Sequence, residues 1–486
     1  MNIKFKSFYG NFMILVGLIV GFSLIIIPFY NEYDYFLAFF LPASGSILLG
    51  ILFNIFDKDN RNFNTSRINM INESSTKVIF AWIYGSIIAA LPFILCNMLN
   101  PIQALFESVS GFTTTGLSVV DVTIAPKVIL FHRSFMQYCG GLGFIMMMLL
   151  ISTNKKSMEL YHAEAHSDRL LPHLKKTARV IFYMYALFLL IGTLAYMFFG
   201  MNLFESICHC MCSLSTGGFS TRLNSIGEYN SIGIRLVTVI LMIIGTTNFA
   251  VLLCIVRGKF KKAFRVSEMK FLGFLLILFV PIVGFSLMVT NNLGFVNAMY
   301  ESLVNVSSAI STTGYSTMNF ADWSEFTIGV IIILMIIGGG IGSTAGGLKL
   351  SRVYLLFRIM LINIKRQLSP RQRISTEYYM TVKGRTKIDD EVRENTCGFF
   401  LIYMFIFIIL SLMVSISANT NLTKAMFEIS SALSTVGLSI GITNPNTDMY
   451  TLIIEIIAMI LGRLEIFTII IASSCALRKI GKIGSR

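Results

Sequence analysis

The chain has 486 residues, 55% of them hydrophobic and only 13% charged, with a mean hydropathy of +0.73. Soluble globular chains carry roughly 25% charged residues, so the composition excludes a water-soluble domain and implies an integral membrane protein. The net charge of +14 would suit a nucleic-acid ligand, but its distribution along the chain, taken up below, makes such a partner unnecessary.

A bilayer core takes about 20 apolar residues per helical span. That window predicts ten spans, near 11–29, 35–55, 78–97, 129–151, 177–199, 232–256, 271–290, 326–348, 397–417 and 449–475. Lys4 and Lys6 before the first span resemble a secretory leader, but the apolar run is too long and lacks a small-residue cleavage site. Residues 1–76 therefore read as an N-terminal two-helix extension.

Four units follow, at 77–152, 153–257, 258–351 and 396–486, separated before the last by a cytoplasmic linker, 352–395. Each contains a short amphipathic segment, "PIQALFESVSGF", "NLFESICHCMCSL", "VNAMYESLVNVSSAI" or "LTKAMFEISSAL". Each segment runs into a Ser/Thr-rich turn that closes on a glycine: Thr114, Thr115, Gly116; Thr216, Gly217, Gly218; Thr312, Thr313, Gly314; Thr435, Val436, Gly437. The amphipathic segments are too short to span and too apolar for ordinary loops. They read as reentrant helices, which are tolerated at membrane depth only where the irregular backbone after them lines a watery cavity. The expected fold is all-α and integral to the membrane: about ten transmembrane helices with four reentrant pore helices. Four helix, pore-helix, helix repeats surround one ion pathway, beside the N-terminal pair. Glu107 and Glu428 lie nine residues before their glycines, and Glu205 and Glu301 thirteen, so repeats 1 and 4 resemble each other, as do 2 and 3.

Placing the N-terminus in the cytoplasm puts 33 of the 39 Lys and Arg residues on that side and five on the other, with Arg463 inside a span. The positive-inside rule then sets both termini in the cytoplasm. Anionic membrane lipid suffices to explain the basicity, and no nucleic acid is called for.

The chemistry of the four turns is that of a cation leaving its water shell. Backbone carbonyls replace that shell without a fixed charge that would trap the ion, glycine lets the backbone turn, and the pore-helix C-termini add their dipoles. In the third repeat Gly338, Gly339, Gly340, Gly342, Ser343, Thr344, Gly346 and Gly347 crowd a stretch where a helix would run. At about 1 kcal/mol per glycine the stretch is expected to unwind into a loop below the third turn and to act as a gate. A nucleotide-binding loop is disfavoured because Leu350 follows Lys349 and no strand precedes it. Arg463 is the one basic residue deep in a span, where such charges face a bundle interior or water; Glu465, two positions on, projects elsewhere. Cys208, His209, Cys210 and Cys212 do not converge on one ion at their spacing. The five histidines are scattered, so no catalytic constellation is evident and no enzyme is expected.

These motifs, "FESVSGFTTTGLS", "SLSTGGFST", "SSAISTTGYST", "SSALSTVGLS", "GGGIGSTAGGLK" and "GRLEIFT", resemble the bacterial TrkH/TrkG branch of the Trk/Ktr/HKT potassium transporters over nearly the whole chain. The resemblance implies K+ as the substrate, the four glycines as the filter, residues 338–347 as the gating loop and Arg463 as the constriction. It also implies a homodimer in the bacterial inner membrane and a cytosolic TrkA-type regulatory subunit that binds the nucleotide, leaving no organic cofactor on this chain. A secondary symporter coupling K+ to H+ or Na+ is the alternative.

Overall fold

A computed structural model describes residues 7–56, 67–143, 174–368 and 377–464, with Met147, Ile466 and Ile470. The expected boundary at 152/153, Glu465, Cys475, most of the basic segment 153–179 and the basic C-terminus lie outside the described residues.

The N-terminal pair is α1 (Phe8–Phe22), prolonged by a tight turn to Tyr30, and α2 (Phe36–Phe56). They touch backbone to backbone: a Cβ on Gly10 would strike the Gly50 carbonyl, and one on Gly50 the Gly10 carbonyl. Small residues permit such contact where lipid supplies no hydrophobic drive between helices. Repeat 1 is α3 (Arg67–Leu95), α4 (Pro101–Phe112) and α5 (Lys127–Leu142); repeat 2 is α6 (Leu174–Phe198), α7 (Leu203–Leu214), α8 (Ile232–Thr246) and α9 (Phe249–Val256). Repeat 3 is α10 (Ser267–Asn291), α11 (Phe295–Ser311) and α12 (Glu325–Ile337). After it come α13 (Leu350–Leu368) and a hairpin of β1 (Tyr378–Thr381) and β2 (Gly384–Lys387). Repeat 4 is α14 (Asp390–Ser417), α15 (Leu422–Leu433) and α16 (Met449–Arg463).

Among the described residues six helices are long and apolar enough to cross a membrane, or seven if α8 and α9 count as one span bent by 115°. Among the described residues the last helix of repeat 3 is shorter than the hydropathy window suggests, and that of repeat 2 is broken in two. Hydropathy averages over a window and does not see that α12 stops at Gly338 (φ 69°) or that α8 breaks at Thr247 and Asn248. The linker also holds more order than a charged loop: α13 is amphipathic, and the antiparallel hairpin pairs Tyr378 with Lys387. Its charges have local partners, as in Arg358 to Glu377 at 3.0 Å.

The four short helices α4, α7, α11 and α15 bury their C-terminal halves; Ser108, Cys212, Ser308 and Ser431 are all inaccessible. Apolar side chains face outward on the long helices instead, Ile277 at 77% and Leu401 at 67% exposure, as a lipid-facing surface requires.

Candidate functional site

The four short helices end the same way. The residue after the last turn, Thr114, Thr216, Thr312 or Thr435, is left-handed, with φ between 51° and 56°. Its amide donates three residues back, to Gly111, Ser213, Ala309 or Ala432. The next amide donates five residues back: Thr115 to Ser110 O (3.0 Å), Gly217 to Cys212 O (2.8 Å), Thr313 to Ser308 O (3.0 Å) and Val436 to Ser431 O (2.8 Å). This is the Schellman closure, which glycine usually supplies. Here a threonine does it four times, and the glycine is held back for the turn two residues on.

At that turn Gly116, Gly218, Gly314 and Gly437 have φ of 97°, 76°, 84° and 95°. A Cβ on Gly116 would collide with the Gly217 carbonyl oxygen, on Gly218 with that of Thr313, on Gly314 with that of Val436, and on Gly437 with that of Thr115. The contacts run from repeat 1 to 2, 2 to 3, 3 to 4 and 4 back to 1. Four carbonyl oxygens from the residue before each glycine thus form a closed ring, packed so tightly that no side chain fits between quarters. The amides beneath are already bonded to the short helices. The carbonyls remain as the polar groups of the ring, that of Gly217 also accepting from the Gln137 side chain.

The ring opens on one side into a cavity of about 510 Å³ lined by all four glycines, Asp121 and Arg222. Thr123 donates its hydroxyl (2.6 Å) and amide (2.9 Å) to Asp121 Oδ1, which holds that carboxyl below the usual carboxylate range. It stays charged at the mouth. Arg222 has its own acids, Glu205 at 2.7 Å and Glu228 at 3.4 Å.

The segments are braced from behind by the residue nine places before each glycine. Glu107 accepts from Ser118 Oγ (3.0 Å) and the Val119 amide (3.0 Å), and Glu428 from Ser439 Oγ (2.7 Å) and the Ile440 amide (3.2 Å). In repeats 2 and 3 the position is His209, 3.1 Å from Ser220 Oγ, and Asn305, which donates to Thr317 Oγ1 (2.8 Å). Glu107 is paired at 2.6 Å with Arg133, and both are buried. Removing one partner of a buried pair costs about 3–5 kcal/mol. Glu107→Ala is expected to lower unfolding stability in detergent by that order, with Glu107→Ala/Arg133→Ala less damaging than the single change. A double variant whose loss equals the sum of the two single losses would show the pair to be uncoupled.

The glycine-rich stretch is a loop, as its composition suggests. It lies against the far side of the ring's supports. Thr344 Oγ1 is 3.0 Å from Thr216 Oγ1, the Gly346 amide donates to Thr312 Oγ1 (2.8 Å), and a Cβ on Gly346 would strike Ser434 O and Thr435 Oγ1. Its other edge is tied to the bend between α8 and α9: the Gly340 amide donates to Thr246 O (3.0 Å), and the Phe249 amide to Gly342 O (3.1 Å). Arg463 donates to Thr344 O (2.7 Å) and to Gly140 O of repeat 1. A deep arginine costs roughly 2.5–3.5 kcal/mol on the mild insertion scale, and these carbonyls offset it. The space between this loop and Arg463, also lined by Lys349 and Gly462, is about 20 Å³, room for about one water.

Every residue of the four turns and of the loop singled out from sequence is placed in one stack: ring, threonines, loop, arginine. Three braces were missed. Gln137 donates to the Gly217 carbonyl (2.5 Å) and accepts from the Phe219 amide (3.1 Å); Tyr315 donates to Phe219 O (3.1 Å); Tyr403 bonds Ser434 Oγ (2.7 Å). Each lies far in sequence from its partner or in another repeat, and no local motif marks it. Cys208, Cys210 and Cys212 are buried in three different apolar clusters, so their thiols diverge.

Four repeats of one unit around a ring of carbonyl oxygens, in a chain of apolar helices, define a membrane transport protein for cations. The family model described as TrkH, Cation transport protein, matches residues 44–479, and the chain belongs to that family. An uncharacterized cation transporter of Methanocaldococcus jannaschii is 28% identical over 466 residues, 95% of this chain and 93% of its own. The Trk system potassium uptake protein TrkG of Escherichia coli is 30% identical over 410 residues, 82% of this chain and 83% of its own. The crystal structure of the potassium transporter TrkH from Vibrio parahaemolyticus superposes with a TM-score of 0.81 at 25% identity, covering 96% of this chain and 98% of that one.

Proposed function

We propose that the protein is the pore subunit of a potassium uptake system. K+ enters the cavity beside Asp121, sheds water at the carbonyl ring of Thr115, Gly217, Thr313 and Val436, and passes the threonines at 114, 216, 312 and 435. It then waits at a gate made by residues 338–347 and Arg463. The observation that carries this reading is the closure of the ring, quarter to quarter, by backbone carbonyls packed against the four glycines. A carbonyl ring replaces a hydration shell and still releases the ion. Relatives named as potassium uptake proteins support K+ as the ion.

In this reading α4, α7, α11 and α15 are reentrant pore helices, both termini are cytoplasmic, and the membrane is the bacterial inner membrane. Two copies pair, each with its own pore. A TrkA-type cytosolic subunit carries the nucleotide and docks on the face bearing α13 and the β hairpin.

Symport of K+ with H+ or Na+ has one observation in its favour, the buried carboxyls Glu428 and Glu455. Flux into proteoliposomes of the purified protein separates the two. Passive, K+-preferring flux without an imposed proton or sodium gradient is expected; flux that appears only with such a gradient would replace the pore by the symporter.

A further inference from the structure

We propose that one proton resides on Glu428, Thr443 and Glu455 behind the fourth ring segment, with Glu455 as an un-ionised acid, and that this proton positions the chain following Gly437. Both carboxyls are fully buried. Glu428 accepts from Ser439 Oγ (2.7 Å), the Ile440 amide (3.2 Å), the Thr443 amide (3.0 Å) and the Thr443 hydroxyl (2.5 Å). Glu455 touches the Thr443 hydroxyl, its two oxygens 3.0 and 3.1 Å from Thr443 Oγ1.

The argument is a count of protons. A hydroxyl has one to donate, and Thr443 Oγ1 lies against both carboxyls. With Glu428 taking it, an ionised Glu455 would face only oxygen lone pairs and would be a second buried negative charge beside the first. Like charges sharing a buried site do not both ionise. A proton on Glu455 resolves the contact: Glu455 donates to Thr443 Oγ1, and Thr443 donates to Glu428. Glu428, with three further donors, is the member suited to remain the carboxylate.

Repeat 1 shows what is replaced. There Glu107 grips Ser118 and the Val119 amide as Glu428 grips Ser439 and the Ile440 amide, and the following helix supplies Arg133 at 2.6 Å. In repeat 4 the following helix, α16, supplies Glu455 instead. No cation takes the place of Arg133: among the described residues neither Glu428 nor Glu455 forms an ion pair. The charged groups acting on Glu455 are Glu428 and Asp448, both acidic. Of the elements packed around the triad, α4 brings Glu107, already held by Arg133, and α12 brings Glu325 in its first turn. Helix α14 brings Tyr403, bonded to Ser434, α15 has Lys424 in its first turn, and α16 ends at Arg463, bonded to Thr344 and Gly140.

Two measurements test the site, and only the second rests on the K+ pathway proposed above. The infrared spectrum of the purified protein is expected to contain the C=O stretching band of a protonated carboxylic acid, sensitive to D2O and missing from Glu455→Gln. A wild-type minus Glu455→Gln difference without that band overturns the proposal. In proteoliposomes, K+ flux of the wild type is expected to fall as pH rises through the titration of this acid, tracking a protonated fraction that drops about tenfold per pH unit. Glu455→Gln, which keeps the donated hydrogen bond and has no proton to lose, is expected to conduct with a flat profile, and Glu455→Ala to lose flux at every pH. A Glu455→Gln profile that still falls with the wild type would overturn the positioning role. The infrared band together with no K+ flux from any variant would uphold the proton and sink the pore.

Discussion

Gly116→Ser is expected to lose most of the preference for K+ over Na+. The new Cβ has no room, because the Gly217 carbonyl oxygen occupies the place it would take, and at φ 97° the backbone is one that side chains rarely adopt. Strain of this kind is about 1–3 kcal/mol, a factor of about 5–150 if it falls wholly on the ion's site. The ring transmits it, since Gly217 precedes Gly218, which packs against Thr313 in turn. Gly200→Ser is the control. That glycine has the same φ of 97° with nothing within 4 Å of a Cβ, so it carries the backbone strain without the collision. K+ and Na+ flux from matched proteoliposomes decides it: if Gly116→Ser keeps wild-type preference, the ring is not the selectivity filter.

Arg463→Ala is expected to conduct more than the wild type when no regulatory subunit is present. The guanidinium ties Thr344 of the loop to Gly140 of repeat 1. Hydrogen bonds from a charged donor contribute about 1.5–3 kcal/mol each, so loss of even one shifts a closed loop toward open by about tenfold or more. Arg463→Lys separates geometry from charge. A lysine keeps the positive charge and loses the planar fork, so its flux should rise as well if the tie is what closes the loop. It should resemble the wild type if the charge alone is the barrier. Unchanged flux in a folded Arg463→Ala variant would remove Arg463 from the gate.

Much of this was legible in the sequence because the repeated unit is local. A short amphipathic segment, two hydroxyl residues and a glycine lie within about a dozen positions, and four copies in register outweigh the ambiguity of each. The loop was legible for the same reason, since six glycines between 338 and 347 leave a helix little to gain. What was not legible is nonlocal or hidden by averaging. Thr114 and its three counterparts close the helices in a left-handed conformation, and threonine has no composition signal for that role. Gln137 serves a segment 80 residues away. The break between α8 and α9 passes unnoticed because both halves are apolar, and helix length is set there by Asn248, whose side chain caps α9 through the Ala250 amide. Glu455 reads as an isolated charge until the fold sets it against Thr443.

A ring assembled from four identical subunits repeats every substitution four times, so each change must suit all its quarters at once. The ring here is threaded by one chain and closes back on its first quarter. Its residues before the glycine are Thr, Gly, Thr and Val, its braces Glu, His, Asn and Glu. Each quarter can therefore take up its own chemistry, and a single codon changes the residue of one quarter and reaches the others only through the contacts between them. Such a ring has an east and a west, and its four quarters are unequal neighbours.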